Sequence, residues 1–358
     1  MSVWRAQRFP SAHPAAAFAW RIIAIVMALV ISGAILAVMG SKPLGLGYEV
    51  LQGSFGSEFG LEDLGLLTTP LILTGLAVAV TQRVGIWNIG AEGQFYMGAF
   101  STAAVGLFFD GPWIAMITAM ALAGVLGGAL WILVPALARA YADVNELITT
   151  LLLNFVATLL VYWVATGPWH EQGVMTLGST RRIAYAIPEL YDTVHWGLPL
   201  AILTAIVMAA ILTFTKWGYE VRVSGANPHA ARYAGIPIRR RIIVAMLISG
   251  ALAGAAGMLE VAGTVHRLQG GIANNFGYVG IMVAVLARGS CLGVLATAVM
   301  MAVILNSGII LQTRGVFIST VVAVTGLILL LTAIGDEFAH YRLVRTDRKI
   351  DGGKQWTS

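Results

Sequence analysis

The stretch Val84-Gly85-Ile86-Trp87-Asn88-Ile89-Gly90-Ala91-Glu92-Gly93-Gln94 sets an amide, a carboxylate and a second amide at the head of an apolar run that continues to residue 109. Such groups are costly in an apolar medium unless they face protein or a water-filled cavity. How to read them depends on the neighbouring sequence, and that is apolar on both sides. Segments near 22–39, 64–82, 86–109, 113–138, 145–166, 197–215, 242–263, 274–287, 290–311 and 316–334 have the lengths of helices that cross ~30 Å of hydrocarbon.

Composition agrees. The chain is 58% hydrophobic and 11% charged, with mean hydropathy +0.82. A soluble surface needs far more charge than that. The expectation is an all-α, polytopic bundle of about ten spans, one or two of them broken. The third and eighth segments are the least regular. The third carries Asn88, Glu92 and Gln94, and the eighth is short and opens after Gly270, Gly271, Asn274 and Asn275. Breaks at membrane depth need cover from protein or a cavity.

Orientation follows from the basic residues. With ten alternating spans, 17 of the 22 Lys and Arg fall on the side of the N-terminus, leaving Lys42, Arg181, Arg182, Arg267 and Arg314 on the other. The positive-inside rule then places both termini in the cytoplasm. The net charge of +5 is accounted for by these flanks and gives no reason to expect a nucleic-acid partner. Arg5, Arg8 and Arg21 precede Ile22–Met39, which is too long for a signal peptide's apolar region and reads as an uncleaved first span. The division is thus a cytoplasmic tail 1–21, a membrane domain 22–338 with a basic loop 216–241, and a tail 339–358. Cys291 is the single cysteine, so no disulfide framework is available within one chain.

The polar string at 88–94 has two readings. Asn88, Gly90, Glu92, Gly93 and Gln94 either tie helices together through hydrogen bonds or line a path for a polar solute. Asn154 and Asn306, each inside a span, carry the same choice. Glu260 lies near the outer end of its span and is expected to reach the interface. Gly124 with Gly128, and Gly250 with Gly254, have the spacing that brings helices close. The run Gly75–Val80 followed by Arg83 resembles Gly280–Val285 followed by Arg288, which suggests two related halves running in the same direction. The outer loops 40–63 and 167–196, one acidic and one aromatic, read as interfacial loops or as a docking surface.

Within the loop 216–241 stands Gly225-Ala226-Asn227-Pro228-His229-Ala230-Ala231-Arg232-Tyr233-Ala234-Gly235-Ile236-Pro237. Asn227 as N-cap with Pro228 at the first helical position makes a helix start. Gly235 and Pro237 make a stop. Small residues at Ala230, Ala231 and Ala234 suit a surface that slots into a partner's groove. An ordinary basic interfacial helix is the other reading.

His229 to Gly235 resembles the EAA-x-x-x-G loop of bacterial ABC importer permeases, with His in the place of Glu. Asn88 to Gln94 resembles the signature of the nucleoside and simple-sugar branch, served by basic membrane lipoprotein-type binding proteins. The resemblance spans about residues 20–338. It implies that a cytoplasmic ATPase, which binds the ATP and Mg, grips Gly225, Asn227, Pro228, His229, Ala230, Ala231, Arg232 and Gly235. It also implies a second related permease, an external substrate-binding lipoprotein, and a nucleoside or simple sugar as the solute, in the inner membrane. This chain has no phosphate-loop motif, no H-E-x-x-H and no G-x-S-x-G, so neither ATP hydrolysis nor protease or esterase chemistry is expected of it. No cofactor or metal site is expected in it. An ion-coupled carrier remains the alternative from a different class.

Overall fold

The computed structural model describes residues 2–8, 14–171, 178–338 and 341–347. The chain divides into two compact units, residues 51–309 and residues 1–50 with 310–358.

The larger unit is built around α3 (Glu58–Gln82), whose residues are buried on every side from Thr68 to Thr81. A helix apolar all round belongs at the centre of a bundle. Ser57 starts it by accepting from the Gly60 amide at 3.1 Å. Pro70 sits inside it, and the Thr74 hydroxyl donates back to the Pro70 carbonyl, 2.8 Å away. Around it run α4 (Ala91–Phe108), α5 (Trp113–Ala142), α6 (Glu146–Thr166) and α7 (Gly197–Phe214). Two helices of the basic loop follow, α8 (Lys216–Ala226) and α9 (Pro228–Tyr233), and then α10 (Ile238–Leu259). A π-helical turn at Glu260–Val265 ends α10, followed by α11 (Phe276–Leu286) and α12 (Cys291–Thr313). Leu126, Leu130, Val134 and Leu137 on α5 are exposed, as are Leu151, Leu152, Phe155 and Leu159 on α6. Outward apolar faces of this kind suit a lipid environment.

Glycines set the closest approaches. A side chain at Gly128 would overlap the Gly250 carbonyl, one at Gly254 the Gly124 carbonyl, and one at Gly98 the Gly254 backbone. The two pairs spaced by four thus lock α5 to α10, and Gly98 brings in α4. The repeated glycines meet one another's helices in the same way: Gly75 faces Val283, and Gly280 faces Thr74. The Arg83 Nε donates to the Gly289 carbonyl at 2.8 Å. So α3 and α11 run side by side in the same direction, and the related sequences form a symmetric crossing. Each ends with an amide bonded five residues back, Ile86 to Thr81 and Gly289 to Ala284, both 3.0 Å.

In the smaller unit α1 (Pro14–Val38) packs on α13 (Ile318–Phe338), with Trp20 and Phe338 stacked at 5.5 Å. Glu49 of α2 (Pro43–Phe55) pairs with Arg314 at 3.1 Å. Residues near the chain ends form an antiparallel ribbon, β1 (Ser2–Arg8) with β2 (Tyr341–Asp347).

Among the described residues seven helices are long and apolar enough to cross a membrane, and Ile22–Val38 and Phe276–Leu286 are shorter apolar helices. With α4, whose polar head lowers its hydropathy, these make about ten apolar helices among the described residues. Boundaries differ from the sequence reading in three places. The third span starts at Ala91, because residues 83–90 form a turn. Loop 40–63 holds α2 and the first turn of α3. Beyond α10 the chain turns through the π-segment before α11, which at ~16 Å is half a span. Glu260, expected at the interface, is 7% exposed within that π-turn.

Candidate functional site

Residues 83–94 leave α3, turn, and open α4. Gly85 has φ +77°, which lets the chain reverse there. Asn88 then closes an Asx turn, its Oδ1 accepting from the Gly90 amide at 2.8 Å. The same oxygen accepts from Gln94 Nε2 at 3.0 Å, and Asn88 Nδ2 donates to Gln94 Oε1 at 2.9 Å, so the two amides lie face to face. Asn88 Nδ2 also donates to Ser249 Oγ of α10 at 2.8 Å, and Ser249 donates to the Ala77 carbonyl of α3 at 2.5 Å. Asn154 of α6 accepts from the Gly93 amide at 2.8 Å and donates to the Ile89 carbonyl at 2.9 Å and to Tyr278 Oη at 3.2 Å. Gly90 and Gly93 carry no side chain because one would collide with Thr150 and with Asn154 respectively.

Glu92 has a distinct task. Its Oε2 accepts from the Gly277 amide at 2.7 Å, and the amides of Asn275 and Tyr278 also bond to it. These are the first amides of α11, which have no partners inside that helix. Asn275, the residue before α11, is left-handed and gives no side-chain cap, so the carboxylate of α4 takes its place. Gly277 is bare because a side chain there would overlap the Glu92 backbone. Asn88, Glu92, Gln94, Asn154 and Ser249 are all at most 4% exposed. Five helices meet at this network, and every amide or carboxylate in it is engaged. Asn306 stands apart: on α12 it donates to Ser54 Oγ at 3.3 Å, and its own oxygen lacks a partner.

The basic loop folds as a hairpin. Asn227 ends α8, its amide bonded to the Val223 carbonyl, and starts α9, its Oδ1 accepting from Ala230 at 3.0 Å. Pro228 follows at the first helical position. Gly235 closes α9 at φ +73°, with the Ile236 amide bonded to the Ala231 carbonyl at 3.0 Å. His229, Ala230, Arg232, Tyr233 and Ala234 are exposed. Ala231 is fully buried. The reading that placed it on the outward docking surface is corrected: with six residues, α9 has a single turn's inner face, and Ala231 occupies it. The hairpin is tied down by the Glu220–Arg241 ion pair and by Arg222 donating to the Leu212 carbonyl. A side chain at Gly225 would overlap the Arg83 carbonyl and crowd the Gly85 amide. The hairpin and the turn that leads into the polar network are therefore in direct contact.

On the opposite face, loop 178–187 runs along residues 262–268. The Thr180, Ile183 and Ile187 amides bond to the carbonyls of Leu268, His266 and Ala262 at 2.8–2.9 Å. Trp169 stacks on Phe100 at 4.9 Å, and Trp113 Nε1 donates to the Ala186 carbonyl at 3.1 Å. The aromatic loop is thus a fixed roof over α4, α5 and the π-turn. His195 is wedged beneath it between Gly197 and Gly263, its Nδ1 accepting from the Gly197 amide at 3.0 Å. Burial, and then the nearby His266, push its pKa down to about 4.

Sequence reasoning identified the amides and the carboxylate but not Ser249, Gly277 or Tyr278, their partners. A serine or tyrosine in an apolar span is unremarkable without its neighbour, and Gly277 gave no signal beyond following Asn274 and Asn275.

Residues 60–333 match the family described as branched-chain amino acid transport system / permease component. A glucose ABC transporter permease protein of Haloferax volcanii is 31% identical over 93% of this chain and 92% of its own. A guanosine ABC transporter permease protein of Bacillus subtilis is 34% identical over 77% of this chain and 81% of its own. A nucleoside ABC transporter permease protein of Lactococcus lactis is 31% identical over 87% of this chain and 90% of its own. With ten apolar helices, a polar network that ties five of them and a fixed hairpin at one face, the chain belongs to this family of ABC transporter permeases and is a multi-pass transport subunit.

Proposed function

We propose that this chain conducts a nucleoside across the cytoplasmic membrane into the cell, as one of two related permease subunits driven by a cytoplasmic ABC ATPase and fed by an external binding protein. The observation that carries the reading is the junction at Gly225. A force applied to α9 from the cytoplasm passes through Gly225 to the turn at Arg83 and Gly85, and from there to Asn88 and the helices it joins. The exposed residues of α9, His229, Ala230, Arg232, Tyr233 and Ala234, are the surface offered to the ATPase. Asn88, Glu92, Gln94 and Asn154 act as the rigid joint that makes helices move together rather than as solute contacts.

The nucleoside is favoured because two of the relatives above carry that solute class in their names; glucose, named for the third, is the alternative. The test is uptake by the complete transporter reconstituted with its ATPase and binding protein. Labelled guanosine and adenosine should accumulate with ATP and fail to do so without it. Accumulation of glucose, with no nucleoside uptake, would overturn the solute assignment and leave the permease reading standing.

A further inference from the structure

Beneath the hairpin lies a cavity of about 810 Å³, bounded by the end of α5, the 84–86 turn, the end of α8 and the start of α10. Arg139, Arg232, Arg239 and Arg240 line it, against the single acid Asp143. Arg139 is already committed, to Asp143 at 2.5 Å and to Glu146 at 3.2 Å. Arg239 lies over the Tyr141 ring at 5.6 Å. Among the described residues Arg232 and Arg240 have no acidic partner, so the cavity keeps a surplus of positive charge.

Two further features make this more than a basic rim. The cavity includes the N-terminus of α10, a 22-residue helix with no side-chain cap and no acid in its first turn. The amides of Arg239 and Arg240 have no backbone acceptor there. The positive end of a long helix with free amides is suited to an anion. Ser224 also lines the cavity. It is 1% exposed, and its hydroxyl has no partner within the protein. A buried hydroxyl without a partner is costly unless a ligand or water satisfies it. Guanidinium groups, helix amides and a hydroxyl together form the donor set for phosphate oxygens.

We propose that this cavity binds a phosphate group, through Arg232, Arg239, Arg240, Ser224 and the first amides of α10. Two sources supply that chemistry at the cytoplasmic face: the headgroup of an anionic phospholipid and free phosphate. The exposed apolar residues of α5, Val134, Leu137 and Tyr141, lead up to the cavity and offer a track for an acyl chain. A phosphate held here bridges the hairpin to α10 and stiffens the joint between α9 and the membrane helices.

The experiment uses the full-length chain alone, so its outcome is independent of solute and ATPase. Melting is followed while titrating phosphatidylglycerol or phosphatidylcholine in mixed micelles, and, in a second arm, sodium phosphate or sodium chloride at equal ionic strength. Phosphatidylglycerol or phosphate should stabilise the protein and their zwitterionic or chloride counterparts should not. The arm that responds at lower concentration names the source. Arg239→Gln with Arg240→Gln should weaken that binding about tenfold or more, whereas Arg314→Gln leaves it unchanged. If the double variant is unstable without ligand, Arg240→Gln alone is compared. Equal response to the paired counterparts, or variants that bind as the wild type does, would overturn the proposal.

Discussion

Glu92 shows how a single residue's position sets its role. A carboxylate accepting from Asn275, Gly277 and Tyr278 amides is the missing first turn of α11, supplied from another helix. Glu92→Gln keeps an oxygen acceptor and loses the charge, and should cost about 0.5–2 kcal/mol, the range of a charge at a helix terminus. Glu92→Leu strands the buried amides and should cost about 3 kcal/mol or more, with poor membrane expression. Melting of the purified variants measures both. A leucine variant as stable as the wild type would show that α11 needs no cap. At Gly235 the cost is local: φ +73° strains any other residue, but no atom lies within 4 Å of a Cβ placed there. Gly235→Leu should therefore lose only about 1 kcal/mol while loosening the end of α9.

At the scale of elements, the hairpin and the roof respond differently. Because Ala231 points inward, Ala231→Trp should disrupt the packing of α9, whereas Tyr233→Ala, at a side chain 96% exposed, should leave the melting temperature unchanged. If α9 is gripped as proposed above, association with the ATPase should fall in both, and co-purification measures it. If Tyr233→Ala keeps full association, the outer face of α9 is a solvated connector. The roof is sensitive to acid. His195 has its pKa depressed to about 4, by burial first and His266 second, and His266 is itself lowered by burial and Arg182 and raised by Glu189. The unfolded chain takes up a proton near pH 6.5 and the folded one does not. Stability from His195 is therefore intact above pH 6.5 and is lost as pH falls from 6.5 towards 4. Melting between pH 7 and pH 4.5 should show this slope, and His195→Asn, which keeps an acceptor for the Gly197 amide, should flatten it.

For the molecule as a whole, much could be read from the sequence because the bilayer admits few solutions. Apolar run lengths outlined about ten helices, the glycines spaced by four marked packing faces on α5 and α10 without pairing them, and Asn227, Pro228 and Gly235 marked the bounds of α9. The repeat around Gly75 and Gly280 gave two equally directed helices, though not that they touch. What stayed hidden was partnership. Nothing in a single sequence says that Glu92 serves Gly277, 185 residues on, or that Ala231 faces in. The π-turn was missed because Glu260 to Val265 continues an apolar helical pattern. The direction of the bundle in the membrane rests on charge alone, and labelling of single cysteines placed at Arg182 and His229 should find the first outside and the second in the cytoplasm. Both on one side would refute the alternating topology.

The bond from Glu92 to α11 also imposes an order in time. Helix α4 leaves the ribosome with its carboxylate complete and its partner unmade. At ordinary rates of synthesis the intervening 185 residues take on the order of 10 to 40 s to appear. Only when Gly277 arrives can α11, too short to span alone, settle between helices already in place. The first third of this protein is thus the template on which its last third assembles.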